Sequence, residues 1–176
     1  MKSLDDIAEL LKGQPGKPPV EKWHPPLSGD IDITIKSDGR WFHEGGEIKR
    51  HPLVKLFASI LRREDDGEYY LVTPVEKWRI SVAEYPLQIV DSEVAPDRIA
   101  MKTNVDEWLV LDDSHPLTVT TNINTGEPVP RVAVDRGLSA KVSRSVFYRL
   151  VEHAIEDDGQ LWLMSSGQRY CLGATE

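Results

Sequence analysis

Residues 53–72 read LVKLFASILRREDDGEYYLV, and residues 147–164 read FYRLVEHAIEDDGQLWLM. An offset of 94 positions keeps every apolar residue of the first helical pattern apolar in the second stretch. After a gap of two residues, an offset of 92 matches EDDG at 64–67 with EDDG at 156–159. The matched apolar positions are Leu53, Leu56, Phe57, Ile60 and Leu61, which correspond to Phe147, Leu150, Val151, Ala154 and Ile155. Two amphipathic helices followed by hairpins can look alike by chance, but agreement on both sides of one small gap predicts an internal duplication.

The elements of the repeated unit follow from hydrophobic spacing. Alternation at Ile31, Ile33 and Ile35 predicts a strand, and residues 40–43 return as its hairpin partner. A helix is predicted over 53–61, closed by Arg62 and Arg63, because cations are favourable at a helix C-terminus. A second helix is predicted over 145–155. Further strands are predicted at 69–72, 77–82, 87–91, 98–104, 107–111, 117–121, 129–134 and 161–164.

This order of elements predicts the fold class and the domains. The fold is α+β, with hairpin–helix–hairpin units used twice and mostly antiparallel sheets, so the two copies should meet across a cleft or share a sheet. Residues 1–27 are predicted to form an N-terminal helix and a proline-rich arm. The first repeat domain then covers 28–86, and the second covers 87–176.

Composition limits the function classes. The chain has 176 residues and a formal net charge of −8, which argues against general nucleic-acid binding. Cys171 is the single cysteine, so no intrachain disulfide can form and a reducing compartment is favoured. The sequence contains no signal-peptide pattern and no apolar run that could span a bilayer. We therefore expect a cytoplasmic protein with no membrane span.

Known catalytic and cofactor motifs are missing from the sequence. It has no GxSxG, Walker or GxGxxG motif, and its five histidines show no HExxH spacing. We therefore predict no catalytic residue, no metal site and no cofactor.

Arg50 and Arg144 form the first candidate binding pair. Each falls one or two residues before a helix, where the helix dipole disfavours a cation unless an anion compensates for it. A guanidinium beside a helix N-terminus is suited to phosphate or carboxylate. The alternative is that each arginine pairs with a local acid such as Glu47, or packs its stem on an aromatic ring.

Thr73, Lys77 and Tyr70 are the remaining candidate ligand-binding residues. Thr73 lies at a bend beside Pro74, and loop residues of this kind often bind ligands. Strand alternation places Lys77 in solvent or in a groove between the repeats, and it leaves either Tyr70 or its neighbour Tyr69 to stack on a ligand. The alternatives are that Thr73 only forms a turn, that Lys77 is a surface cation and that Tyr70 belongs to the core.

Several segments resemble the bacterial domain of unknown function 1285 family. They are IDI at 31–33, DGRWF at 38–42 with Gly45, LVKLF at 53–57, LRR at 61–63, YLVTPVEK at 70–77 and VFYRLV at 146–151. The resemblance covers about residues 28–173, and the TPVEK segment is its most specific part. Where the family commonly has an Ala-Pro-Phe turn, this chain has AEYP at 83–86.

The resemblance implies a duplicated core whose C-terminal half is similar to pleckstrin-homology-like domains. It also implies a ligand site between the halves for a nucleotide-like molecule, with a role in signal transduction. Three functions stay open at this point. In order of preference, they are a non-enzymatic module for a small anionic ligand, a protein-interaction domain using edge strands or the arm, and a hydrolase acting on an anionic substrate.

Overall fold

A computed structural model describes residues 4–11 and 17–175. The chain divides into two units. Unit 1 comprises the described residues up to Pro86 together with Arg136–Leu138, and unit 2 comprises Leu87–Asp135 and the described residues from Ser139 onward. Residues 13–16 of the predicted arm lie outside the described part. None of the described helices is long and apolar enough to cross a membrane.

Unit 1 is built on one six-stranded sheet with two helices. The strand order is β3-β2-β1-β6-β5-β4, and every neighbouring pair is antiparallel except β1 and β6, which are parallel. A parallel pair needs a long crossover, which α2 and the intervening strands supply. The elements are α1 (Leu4–Leu11), a short 3₁₀ turn (Val20–Lys22), β1 (Gly29–Ile35), β2 (Trp41–His43), β3 (Gly46–Glu47), α2 (His51–Ser59), β4 (Leu61–Arg63), β5 (Tyr69–Val72) and β6 (Lys77–Val82).

The core of unit 1 follows the predicted alternation. Ile31, Ile33 and Ile35 are buried, while the residues between them face outward or are half-buried. Phe57 of α2 is fully buried, and its ring stacks on Trp41 with the centroids 6.4 Å apart. The predicted hairpin over 31–43 is therefore confirmed.

Unit 2 contains a second six-stranded sheet and a separate three-stranded one. The larger sheet has the order β10-β11-β12-β7-β8-β9, with β12 and β7 parallel and the other neighbours antiparallel. The smaller sheet, β13-β14-β15, is antiparallel. The elements are β7 (Leu87–Val94), β8 (Ile99–Thr103), β9 (Trp108–Val110), β10 (Leu117–Thr121), β11 (Pro128–Ala133), β12 (Ser139–Val142), α3 (Arg144–Val151), β13 (Ile155–Asp157), β14 (Gln160–Ser165) and β15 (Gln168–Ala174).

The duplication and the α+β class with mostly antiparallel sheets are confirmed. In each unit one helix is followed by three antiparallel strands, α2-β4-β5-β6 and α3-β13-β14-β15. The repeated part is thus a helix and a three-stranded meander, which joins the large sheet in unit 1 and forms its own sheet in unit 2. The similarity of the C-terminal half to a pleckstrin-homology-like fold stays a prediction.

Both predicted helix ends are wrong. The helix α2 ends at Ser59, and Leu61 begins β4, where it pairs with Leu71. Arg62 and Arg63 therefore lie in a strand and do not close a helix. In the second copy α3 ends at Val151, and Ile155 pairs with Trp162 in β13. The two apolar residues fit helical spacing, but cross-strand pairing decides their conformation.

The matching EDDG segments also differ in shape. In unit 1 residues 64–68 form the loop between β4 and β5, whereas in unit 2 only Asp158 and Gly159 separate β13 from β14. The strand β12, four residues within the larger sheet of unit 2, was not predicted. Its residues SAKV alternate between polar and apolar, but four residues are too few to distinguish a strand from a loop.

Arg136 supplies the partner for the carboxyl end of α2. Its guanidinium nitrogen Nη1 donates to the carbonyl oxygens of Ala58, Ser59 and Leu61 at 3.0, 3.0 and 2.9 Å. The last carbonyls of a helix have no partner within the helix, so a cation there satisfies them and opposes the negative end of the dipole. The backbone N–H of Arg63 donates to the carbonyl of Arg136 at 3.0 Å, which holds residues Arg136–Leu138 against β4.

We expect Arg136→Ala to lower the free energy of unfolding by about 2–3 kcal/mol, because it leaves three carbonyls without their charged donor. The matched control is Arg40→Ala, since Arg40 is 55% exposed and pairs with Asp38 on the surface. That variant should cost at most about 1 kcal/mol. Urea denaturation measures both, and equal losses would contradict the role of Arg136.

We expect Gly137→Ala to destabilise the protein more than Gly45→Ala. Both glycines have positive φ, +73° and +84°, so alanine costs about 1–2 kcal/mol at either position from the backbone alone. At Gly137 the new Cβ would also lie 2.9 Å from the carbonyl oxygen of Arg63, whereas nothing lies within 4 Å at Gly45. The clash should lower the free energy of unfolding of Gly137→Ala by about a further 1–3 kcal/mol, measured by urea or thermal denaturation. Indistinguishable variants would show that the close approach is absent.

Candidate functional site

One face of the β4-β5-β6 meander carries a charged cluster in unit 1. Cross-strand pairing aligns Arg62, Tyr70 and Arg79, so their side chains share this face. Lys77 joins them from the start of β6, and Glu64 and Asp66 reach in from the loop that follows β4. We call these six residues the Glu64 cluster.

Glu64 is the centre of the cluster. One carboxylate oxygen, Oε2, accepts from Arg62 at 2.5 Å, and the other, Oε1, accepts from Lys77 at 2.9 Å. The three side chains are only 24%, 12% and 17% exposed. Burial alone would raise the pKa of Glu64, but the hydrogen bonds from Lys77 and Arg62 outweigh it and hold the pKa below its usual value.

Tyr70 is held by a second carboxylate. Its hydroxyl donates to Oδ2 of Asp66 at 2.5 Å, and this bond, together with burial, raises the pKa of Tyr70 to about 12. The same bond, with one from the backbone N–H of Glu68, lowers the pKa of Asp66. The ammonium of Lys77 lies 4.7 Å from the centre of the Tyr70 ring, a cation–π contact.

The cluster also holds the chain that precedes β1. Arg62 donates to the backbone carbonyls of Val20 and Trp23 at 3.0 and 2.8 Å. The backbone N–H of Ser28 donates to the carbonyl of Lys77, and the N–H of Lys77 donates to the Ser28 hydroxyl. Residues 20–28, which we call the arm, are therefore bound by Arg62 of β4 at one end and by Lys77 of β6 at the other.

Thr73 is fully buried in the turn between β5 and β6. Its hydroxyl oxygen accepts from the backbone N–H groups of Val75 and Glu76 at 3.3 and 2.9 Å. The backbone N–H of Thr73 donates to the carbonyl of Glu76. These bonds give Thr73 a role in shaping the turn.

Arg50 precedes the first residue of α2 and is exposed. It borders an open concavity of about 430 Å³ whose other walls are Pro52, Leu53 and Leu56. The first turn of α2 contains no acidic residue. This part of unit 1 thus combines a guanidinium, a helix N-terminus and an apolar surface.

Arg144 is the first residue of α3 in unit 2. The hydroxyl of Ser143 caps the helix by accepting from the N–H of Val146. The Arg144 guanidinium donates to the Glu127 carboxylate at 3.0 Å, and the two side chains are 69% and 57% exposed. This exposed pair agrees with the alternative that an arginine at the helix start meets a local acid.

Of the five predicted site residues, Lys77 and Tyr70 are in direct contact. Arg50 and Arg144 belong to different units. Arg62 and Glu64 were missed, because Arg62 was expected to close a helix and EDDG at 64–67 served only as a marker of the duplication. The available signal was the acidic run at 64–66 directly after Arg62 and Arg63.

Unit 2 has a concavity of its own, and the described residues contain no metal-binding cluster. In unit 2 a concavity of about 640 Å³ lies between β10 and β15, and no sequence pattern pointed to it. Within residues 4–11 and 17–175, no group of histidine, cysteine and carboxylate side chains is arranged to hold a metal ion.

The fold and these sites define a class: a duplicated α+β protein in which each unit combines a mixed six-stranded sheet with a helix and meander. Residues 18–85 match the N-terminal domain of the family described as "Domain of unknown function (DUF1285)", and residues 86–172 match its C-terminal domain. The chain belongs to the DUF1285 family.

Two crystal structures of DUF1285 family proteins are similar to this chain. The protein from Silicibacter pomeroyi DSS-3 is 40% identical with a TM-score of 0.92, over 99% of this chain and 96% of that one. The protein from Shewanella baltica OS155 is 31% identical with a TM-score of 0.55, over 68% of this chain and 90% of that one. No curated protein matches the chain.

We expect Glu64→Gln to lower the free energy of unfolding at pH 7 by about 1–3 kcal/mol, because it removes the charged acceptor for Arg62 and Lys77. The pKa of Glu64 is lower in the folded state than in the unfolded state. Its contribution is therefore complete above the unfolded value of about 4.3 and is lost as the pH falls through the folded value.

The gap between wild type and Glu64→Gln should accordingly shrink below about pH 4.3 in urea titrations at successive pH values. The matched control is Glu68→Gln, which makes the same change at an exposed position of the same loop. A gap of constant size down to pH 3, or an equal effect of Glu68→Gln, would contradict the assignment.

Proposed function

We propose that this protein is a non-enzymatic module that binds a small anionic, nucleotide-like molecule, and that Arg50 contacts its anionic group. The observation that carries the proposal is the concavity of about 430 Å³ formed by Arg50, Pro52, Leu53 and Leu56. Its volume is within the range of about 300–1,000 Å³ that is typical of small-molecule sites.

The chemistry of this concavity supports a ligand with two parts. The side chains of Pro52, Leu53 and Leu56 suit an apolar or aromatic body. The guanidinium of Arg50 and the positive end of the α2 dipole suit a phosphate or carboxylate. A nucleotide combines both parts in one molecule.

Arg144 is a second proposed contact, and its present partner is a local acid. In unit 2 a guanidinium at the start of the equivalent helix binds a carboxylate, that of Glu127, at 3.0 Å. Exposed ion pairs of this kind contribute about 0–1 kcal/mol, so an incoming anion could displace Glu127. We therefore keep Arg144 as a second proposed anion contact.

The Glu64 cluster favours binding over acid–base catalysis. The pKa values of Glu64 and Asp66 are lowered, and that of Tyr70 is raised to about 12. Each shift moves the pKa of the group away from neutral pH, whereas general acids and bases have pKa values close to it. Tyr70, Thr73 and Lys77 make hydrogen bonds within unit 1, so we propose a supporting role for them there.

The proposed setting follows from the proposed activity. A binding module without chemistry of its own would report the presence of its ligand, so we propose a role in signal transduction. The compartment we propose is the cytoplasm, which the single cysteine favours.

We expect adenosine monophosphate to stabilise the wild-type protein in a thermal-shift assay. At ten times its dissociation constant, the ligand should raise the melting temperature by about 3 °C or more. Inorganic phosphate should have a smaller effect, because it leaves the apolar walls uncovered. No stabilisation by any nucleotide or phosphorylated metabolite at millimolar concentration would overturn the proposal.

Two variants locate the binding. Arg50→Ala should weaken binding of the nucleotide by about tenfold or more, since it removes a charge-assisted hydrogen bond. Lys49→Ala removes the same charge from the adjacent exposed position and should bind as the wild type does. Equal effects of the two variants would mean that Arg50 makes no specific contact.

A further inference from the structure

The outer face of the three-stranded sheet in unit 2 is exposed and partly apolar. Cross-strand pairing aligns Ile155, Trp162 and Cys171 on this face, and Met164 pairs with Arg169 beside them. Ile155 is 58% exposed and Met164 is 45% exposed. We call these five residues the open face.

The open face is the counterpart of the Glu64 cluster. At the offset of 92, Tyr70 corresponds to Trp162 and Lys77 corresponds to Arg169. The pairing of the last two strands keeps this offset, because Leu71 pairs with Trp78 and Leu163 pairs with Tyr170. Even the cation–π contact recurs, with the Arg169 guanidinium 4.0 Å from the Trp162 ring centre.

The two faces differ in what covers them. In unit 1 Arg62 and Lys77 of this face bind the arm, and Tyr70 and Val72 are 3% and 0% exposed. The equivalents in unit 2 are Trp162, which is half-buried, and Met164, which is 45% exposed. The face thus binds a proline-containing segment in unit 1, a 3₁₀ turn followed by extended backbone at Trp23, and its counterpart in unit 2 is open.

We propose that the open face binds an extended, proline-containing segment of a partner protein. The arm shows the kind of segment that this sheet accepts in unit 1. Trp162 offers the flat aromatic surface on which proline rings pack in other peptide-binding domains. Arg169, which pairs on the surface with Asp157, can turn to a carbonyl or carboxylate of the segment.

One substitution between the copies defines the chemistry of the partner. The sequence offset of 94 sets Ile155 against Leu61, but the sheet register sets it against Arg62, because Ile155 pairs with Trp162 as Arg62 pairs with Tyr70. Where unit 1 has Arg62, which binds two carbonyls of the arm, unit 2 therefore has Ile155. The partner segment should therefore place an apolar side chain over Ile155. This surface is separate from the concavity at Arg50, so either proposal can fail without the other.

The test uses the full chain and a synthetic peptide, KPPVEKWHPPLS, which copies residues 17–28. Methionine methyl groups are labelled with ¹³C and observed by NMR during the titration. The Met164 methyl should shift in a saturable manner, whereas Met101, which is fully buried, should keep its native position and so report an intact fold. A peptide with serine in place of every proline should bind more weakly.

Ile155→Asp should raise the dissociation constant of the peptide by about tenfold or more, because it places a charge in the apolar contact. The matched control is Ile123→Asp, since Ile123 is 96% exposed in unit 2 but lies outside the open face. The control should bind the peptide as the wild type does.

Three results would overturn the proposal. The first is an unmoved Met164 methyl at millimolar peptide. The second is equal binding by Ile155→Asp and the wild type. The third is a Met164 signal that changes with protein concentration in the absence of peptide, which would assign the open face to a second copy of the chain.

Discussion

Unit 1 depends on how the carbonyl groups at the end of α2 are satisfied. The chain leaves the helix at Ser59 and enters β4 at Leu61, with Ile60 alone between them. The guanidinium of Arg136 donates to the carbonyls of the last two helical residues, Ala58 and Ser59, and to that of Leu61 in β4, which makes this short reversal favourable. The physical unit therefore extends beyond residues 18–85, the part that matches the family's N-terminal domain.

The spacing of apolar residues correctly predicted the elements that bury one regular face, such as β1 and α2. Alternation at Ile31 and Ile33 predicted β1, and the spacing around Phe57 predicted α2. It failed at Leu61 and Ile155, because each fits the apolar stripe of a helix as well as the first position of a strand. The choice between the two is made by pairing with Leu71 and Trp162 on the neighbouring strands, and helical spacing carries no information about such pairing.

The candidate site residues were also hard to predict from local pattern, because their partners come from other strands and loops. Lys77 and Tyr70 were each singled out from local pattern, and the sheet brings the Lys77 ammonium to 4.7 Å from the Tyr70 ring centre, a contact that the sequence did not predict. Glu64 was not predicted as a site residue, because its partners Arg62 and Lys77 reach it only when β4 and β6 flank β5 in one sheet. The role of Arg136 depends on a separation of more than 70 residues, so nothing near it in sequence could indicate it.

The duplication gives the chain two copies of the helix and meander, and the copy in unit 1 binds the arm. In unit 1 the meander must hold the arm, and this requires a cation that binds backbone carbonyls, which Arg62 supplies. In unit 2 the ring and its cation remain as Trp162 and Arg169, while the carbonyl-binding position has become Ile155. An exposed isoleucine on an edge strand gains nothing from water and risks aggregation. A face that keeps its aromatic–cation pair while becoming more apolar is therefore better explained by a partner than by relaxed constraint.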